Sequence, residues 1–98
     1  MSIRESGAPP PRAGLEVRGR TRRGKDCALV DHSGDALARE ALELLLADLI
    51  AADAFGFRAS GDAGGAIRLD RPGFGHVQIG ERLYRLIIDR YRARLEKF

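Results

Sequence analysis

The stretch ERLYRLIIDRYRARLEKF, residues 81–98, decides how the chain is read. Taken at 3.6 residues per turn, Tyr84, Ile87, Ile88, Tyr91, Leu95 and Phe98 fall on one face. Arg82, Arg85 and Arg92 fall on the opposite face, and Arg90, Arg94 and Lys97 lie on its borders. The spacing predicts an amphipathic helix over 81–98, with Gly80 ending the element before it.

Upstream of this segment the pattern alternates with period two. Val77 and Ile79 alternate with His76 and Gln78, and Ile67 and Leu69 alternate with Arg68 and Asp70. Phe57 and Ala59 alternate less cleanly with Arg58 and Ser60. Residues 61–65 and Arg71-Pro72-Gly73-Phe74-Gly75 read as turns, so 55–80 is predicted to be a three-stranded antiparallel meander.

Further upstream, Leu42, Leu45, Leu46 and Leu49 form an i, i+3, i+4, i+7 stripe, extended backward by Ala38. A helix is predicted from about Asp35 to Ala54, with Ser33 as N-cap, Asp35 facing the positive end of the helix dipole, and Gly56 as stop. Leu37 and Leu44 point away from the stripe, which predicts a second apolar patch needing cover from another element or another chain. Residues 15–30 read as a hairpin with its turn at 22–26, and residues 1–13, holding Pro9, Pro10 and Pro11, read as a disordered N-terminal arm. The expectation is a small single α+β domain over 14–98, an antiparallel sheet with two amphipathic helices in the order ββ-α-βββ-α.

From Asp35 onward, α-βββ-α is also the element order of double-stranded-RNA-binding modules. The agreement is one of order alone. The last helix of those modules opens on a lysine-rich clamp, whereas residues 80–85 here are Gly-Glu-Arg-Leu-Tyr-Arg, and no family is assigned.

Charge is sorted along the chain. Residues 1–30 and 71–98 each carry a net +4, and residues 31–70 carry −5. Of the 17 basic side chains, all but Lys25 and Lys97 are arginine, whose planar fork grips phosphate or carboxylate bidentately. The basic ends predict a non-catalytic binding module for an anionic partner, either nucleic acid or an acidic protein surface. The contact residues expected are Arg18, Arg20, Arg22, Arg23 and Lys25 on the hairpin, and Arg82, Arg85 and Arg92 on the last helix. A solvated polar face filled with arginine by genome composition is about equally expected from the sequence.

The alternative is an assembly subunit, a homodimer or part of a larger complex, with Leu37, Leu44 and Phe74 at the interface. Phe74 beside Arg71 is the one aromatic placed to stack on a base or enter a partner pocket, although a ring folding back on the core is the commoner fate.

Chemistry-bearing residues are few. Cys27, Asp31, His32 and His76 are the candidate metal ligands or nucleophile–base partners, but their spacing matches neither a zinc site nor an activated thiol. Glu40, Glu43 and Asp48 read as a helix surface rather than a general acid–base pair. The glycine-rich turns lack the sequence of a phosphate loop. Neither an enzyme nor a cofactor or metal protein is expected. One cysteine allows no intramolecular disulfide, and neither a secretory leader nor a membrane span is apparent, so a cytoplasmic location is expected.

Overall fold

The computed structural model describes residues 15–56, 61–62 and 67–98. The predicted arm at 1–13 and the predicted strand at 57–60 lie outside the described residues. The chain forms β1 (Glu16–Arg20), β2 (Asp26–His32), α1 (Arg39–Ala51), β3 (Gly61–Asp62), β4 (Ile67–Arg71), β5 (Phe74–Ile79), β6 (Arg82–Asp89) and β7 (Arg92–Lys97). All strands join one sheet in the order β1-β2-β7-β6-β5-β4-β3. Six of them have five residues or more, and β3 is a two-residue edge.

The predicted two-helix α+β fold is therefore corrected. Residues 81–98 form a β-hairpin, not a helix, and the order is ββ-α-βββββ. The antiparallel sheet expected is a mixed one, because β2 and β7 pair in parallel while every other pair is antiparallel. The element order shared with double-stranded-RNA-binding modules disappears with the last helix.

Burial along the hairpin shows which period governs. Tyr84, Leu86 and Ile88 on β6, and Ala93 and Leu95 on β7, are buried at every second position. The β-branched pair Ile87–Ile88 and the aromatic Tyr84 suit a pleated strand. Pairing decides the matter. In strand form this segment satisfies the open edge of β5 through β6 and that of β2 through β7, hydrogen bonds that a helix would leave unmade. Arg90 and Tyr91 make the two-residue turn, Arg90 at φ 59°.

The helix prediction for the middle of the chain holds for its stripe. Leu42, Leu45, Leu46 and Leu49 are buried, and Ile50 and Leu46 pack on Gly19 of β1. Its start is corrected. The helix begins at Arg39 behind Ala38, which makes no side-chain cap, and Ala38 itself is exposed. Ser33 instead belongs to a turn built around Asp31. One Asp31 oxygen accepts from the Ser33 N–H at 2.9 Å and from its hydroxyl at 2.6 Å, and the other accepts from the Leu37 N–H at 3.1 Å. These bonds explain how a buried carboxylate is tolerated. The helix ends at Ala51 in a Schellman motif, with Asp53 at φ 55° and N–H bonds from Asp53 to Ile50 and from Ala54 to Leu49.

The β1–β2 hairpin forms as predicted and runs on to His32. Pro72 and Gly73, with Gly73 at φ 86°, turn β4 into β5. Gly75 is required by proximity: a Cβ there would overlap the Arg68 carbonyl and crowd the Leu69 backbone. The core is continuous, from Val17, Leu29 and the leucine stripe through Leu95 and Leu86 to Val77, Ile67 and Leu69.

Candidate nucleic-acid interface

Strand pairing sorts the side chains onto two faces. Gly19 and Val17 face α1, so Glu16, Arg18 and Arg20 point away from it. Register carries this assignment across the sheet. Arg18 lies opposite Ala28, Ala28 opposite Arg92, Arg94 opposite Ile87, Ile87 opposite Phe74, and Arg85 opposite both Glu96 and His76. The helix-free face thus carries Arg18, Arg20, Arg85, Arg92 and Arg94, with Phe74 and His76 among them.

Several of these guanidiniums already hold carboxylates. Arg18 Nε meets Glu16 at 2.7 Å, Arg92 meets the other Glu16 oxygen at 3.5 Å, Arg94 meets Glu96 at 2.8 Å, and Arg20 meets Asp26 at 3.3 Å. The hydrogen bond from Arg18, with the charges of Arg18 and Arg92, holds the Glu16 carboxyl below the usual range. Exposed pairs of this kind contribute only about 0–1 kcal/mol, so a phosphate can replace the carboxylate at little cost. Arg85 forms no ion pair with any described residue. Arg18 and Arg92 flank an open recess of about 210 Å³ with Ala28 and Tyr91 at its wall.

The same face holds three of the exposed large apolar side chains: Phe74 at 44%, Leu83 at 40% and Phe98 at 65% exposure. The Arg71 guanidinium lies 4.4 Å from the Phe74 ring centre, a cation–π contact. The His76 and Phe98 rings stack with centres 6.4 Å apart and planes 28° apart. His76 Nδ1 also lies 3.3 Å from Asp70. Phe74 is therefore a ring on the open sheet rather than one folded onto the core. Sequence reasoning missed Phe98 and His76 as its companions, because a helical reading of 81–98 puts Phe98 in the core.

The expected grouping of Arg82, Arg85 and Arg92 is divided by the sheet. Arg85 and Arg92 share the helix-free face. Arg82 is on the other side, where it reaches Asp35 at 3.3 Å together with Lys97 at 3.3 Å and the Tyr84 hydroxyl at 2.8 Å. At the hairpin tip Arg23 and Lys25 are exposed, and Arg22 donates to the Ala51 carbonyl at the C-terminus of α1, at 3.4 Å.

The remaining candidates are dispersed. Cys27 is buried on the helix side of β2, while His32 and His76 sit on the opposite face. Burial first, then the charge of Asp26, pushes the Cys27 thiol up. Among the described residues no three His, Cys, Asp or Glu side chains come together as a metal site. Leu37 packs against the core, which removes it from the predicted exposed patch, whereas Leu44 is 69% exposed between Glu40 and Glu43. No helix among the described residues is long and apolar enough to cross a membrane.

No protein-family model matches the chain, and neither a curated protein nor a solved structure does.

Proposed function

We propose that the protein is a non-catalytic module that binds an anionic partner through the helix-free face of its sheet. The observation that carries this reading is the convergence of Arg18, Arg20, Arg85 and Arg92, from the three strands β1, β6 and β7, on the face opposite α1. Replacing mobile counterions with such a face gives binding that weakens steeply with salt. The hairpin tip, with Arg23 and Lys25, extends the basic surface beyond the sheet edge. A single buried thiol has no need of an oxidising compartment, in keeping with a cytoplasmic location.

Retention on heparin along a salt gradient tests the reading. Firm retention at low salt, with earlier elution of an Arg18→Glu, Arg85→Glu, Arg92→Glu triple variant, supports it. Absence of retention at low salt overturns it.

Assembly with a second protein is the other reading, favoured by Leu44 standing exposed in an acidic surround. Leu37, its expected companion, is covered within the chain.

A further inference from the structure

Charge by itself does not choose among anions, but the rings on the same face do. A polyanion recognised only by charge needs no aromatic surface, and an acidic protein offers carboxylates in scattered geometry. Here two ring stations sit two residues apart on one strand. Phe74 forms the first, and His76 stacked with Phe98 forms the second. Residues i and i+2 of a strand lie about 6.6 Å apart on one face. Ile87 stands directly beside Phe74, and Arg85 directly beside His76. Each station therefore has a neighbour on β6, one apolar and one cationic.

From these stations the cationic route continues over Arg94 and Arg92 to Arg18 and Arg20. The distance from β5 to β1 is four inter-strand steps, about 19 Å at ~4.8 Å each. A chain of stackable bases linked by phosphates satisfies both features together: rings take the bases and guanidiniums take the backbone. A duplex hides its base faces in its own stack, so it offers Phe74 and Phe98 nothing to cover.

Resting on the anionic-partner reading, we propose that the helix-free face binds single-stranded nucleic acid, with one base stacked at Phe74 and the next at His76–Phe98. Alanine at a base-stacking aromatic weakens single-strand binding by roughly fivefold to a hundredfold.

The test is fluorescence anisotropy of the full chain with a labelled 12-nucleotide oligouridylate, a 12-base-pair duplex of mixed sequence, and polyglutamate, each over a salt series. The expected order of affinity is single strand above duplex above polyglutamate. Phe74→Ala and Phe98→Ala should each weaken the single strand about tenfold or more while changing polyglutamate binding less than twofold. Phe74→Tyr, which keeps the ring, should restore single-strand binding. Both rings are exposed, and circular dichroism checks that the variants keep the fold.

If all three polyanions bind alike and the ring variants change nothing, the stacking proposal is overturned while the anionic-partner reading stands. If only polyglutamate binds, the occupant is an acidic protein surface and the proposal is overturned. If none binds at low salt, both fail.

Discussion

Tyr84 donates its hydroxyl hydrogen to Asp35 Oδ2 at 2.8 Å, joining the loop before the helix to a strand some fifty residues later. The Tyr84 bond, followed by the contacts with Lys97 and Arg82, holds the Asp35 carboxyl below its ordinary range. Burial and the same carboxylate push the Tyr84 phenol up. The depressed Asp35 value makes its contribution to stability complete above the unfolded pKa and lost as pH falls through the folded one. The raised Tyr84 value makes its contribution complete below the unfolded pKa and lost as pH rises through the folded one. The urea midpoint should thus fall below about pH 4 and again above about pH 10. In Tyr84→Phe the acid loss should start at the same pH but be smaller and level off at higher pH, and the alkaline loss attributable to this group should vanish. Acid limbs that coincide in the two proteins would contradict the assignment.

The sorting of arginines by face gives a second expectation. Arg85→Ala and Arg92→Ala should each reduce the slope of log affinity against log salt by about one for a polyanion ligand. Arg82→Ala should leave that slope unchanged, since Arg82 is on the helix side with Asp35. Equal effects of all three would mean that the face assignment does not govern binding.

Gly75→Ala should be among the most damaging single-methyl additions. The new Cβ would meet the backbone of Arg68 and Leu69, which no rotamer change can relieve. A loss of about 3 kcal/mol or more is expected, and thermal unfolding should show it as a melting point lower by some 10 °C or more. Gly24→Ala provides the contrast. Nothing lies within 4 Å of its Cβ position, so only the positive φ of 85° opposes the change, at about 1 kcal/mol.

On the helix, Leu42→Ala should cost about 2–5 kcal/mol because the side chain is fully buried. Leu44→Ser, two positions on, should change monomer stability by about 0.5 kcal/mol or less. Should Leu44→Ser dissociate an oligomer seen by light scattering, the assembly reading would gain its interface.

Cys27 should resist thiol reagents at neutral pH. The thiolate is the reactive form, and both burial and the raised pKa suppress it. Labelling in urea should follow the unfolding transition seen by circular dichroism. Rapid labelling of the native protein would place Cys27 at the surface.

The leucine stripe, the first hairpin and the strand pattern of Ile67–Leu69 and Val77–Ile79 were all legible, because each repeats with one period and is bounded by glycine or proline. Residues 81–98 were not. Tyr84, Ile87 and Ile88 satisfy a helical face, while Tyr84, Leu86 and Ile88 satisfy a strand face, and the turn at Arg90–Tyr91 has none of the glycine or asparagine that announces a hairpin. Long-range pairing with β2 and β5 settled the choice, and that information is distributed over the whole chain. The proposed interface was half legible for the same reason. Its arginines could be read from composition, but the face each one occupies depends on the period. Hence Arg85 and Arg92 share a face, Arg82 lies on the other one, and Phe98 stands on the open face where a helical reading buries it.

The parallel pairing of β2 with β7 has a consequence for biosynthesis. Two neighbouring strands of the sheet are separated by most of the described chain, and the later one cannot pair until it has been made. At ~5–20 residues per second, the roughly 60 residues between His32 and Arg92 take about 3–12 s to make. Until Arg92 and the residues after it are made, the β1–β2 hairpin has no β7 to cover the edge of β2, its most continuously apolar strand. A ribosome paused before Arg92 would therefore hold a hairpin with a sticky edge, and the timing of the β6–β7 hairpin becomes as much a determinant of yield as the stability of the finished fold.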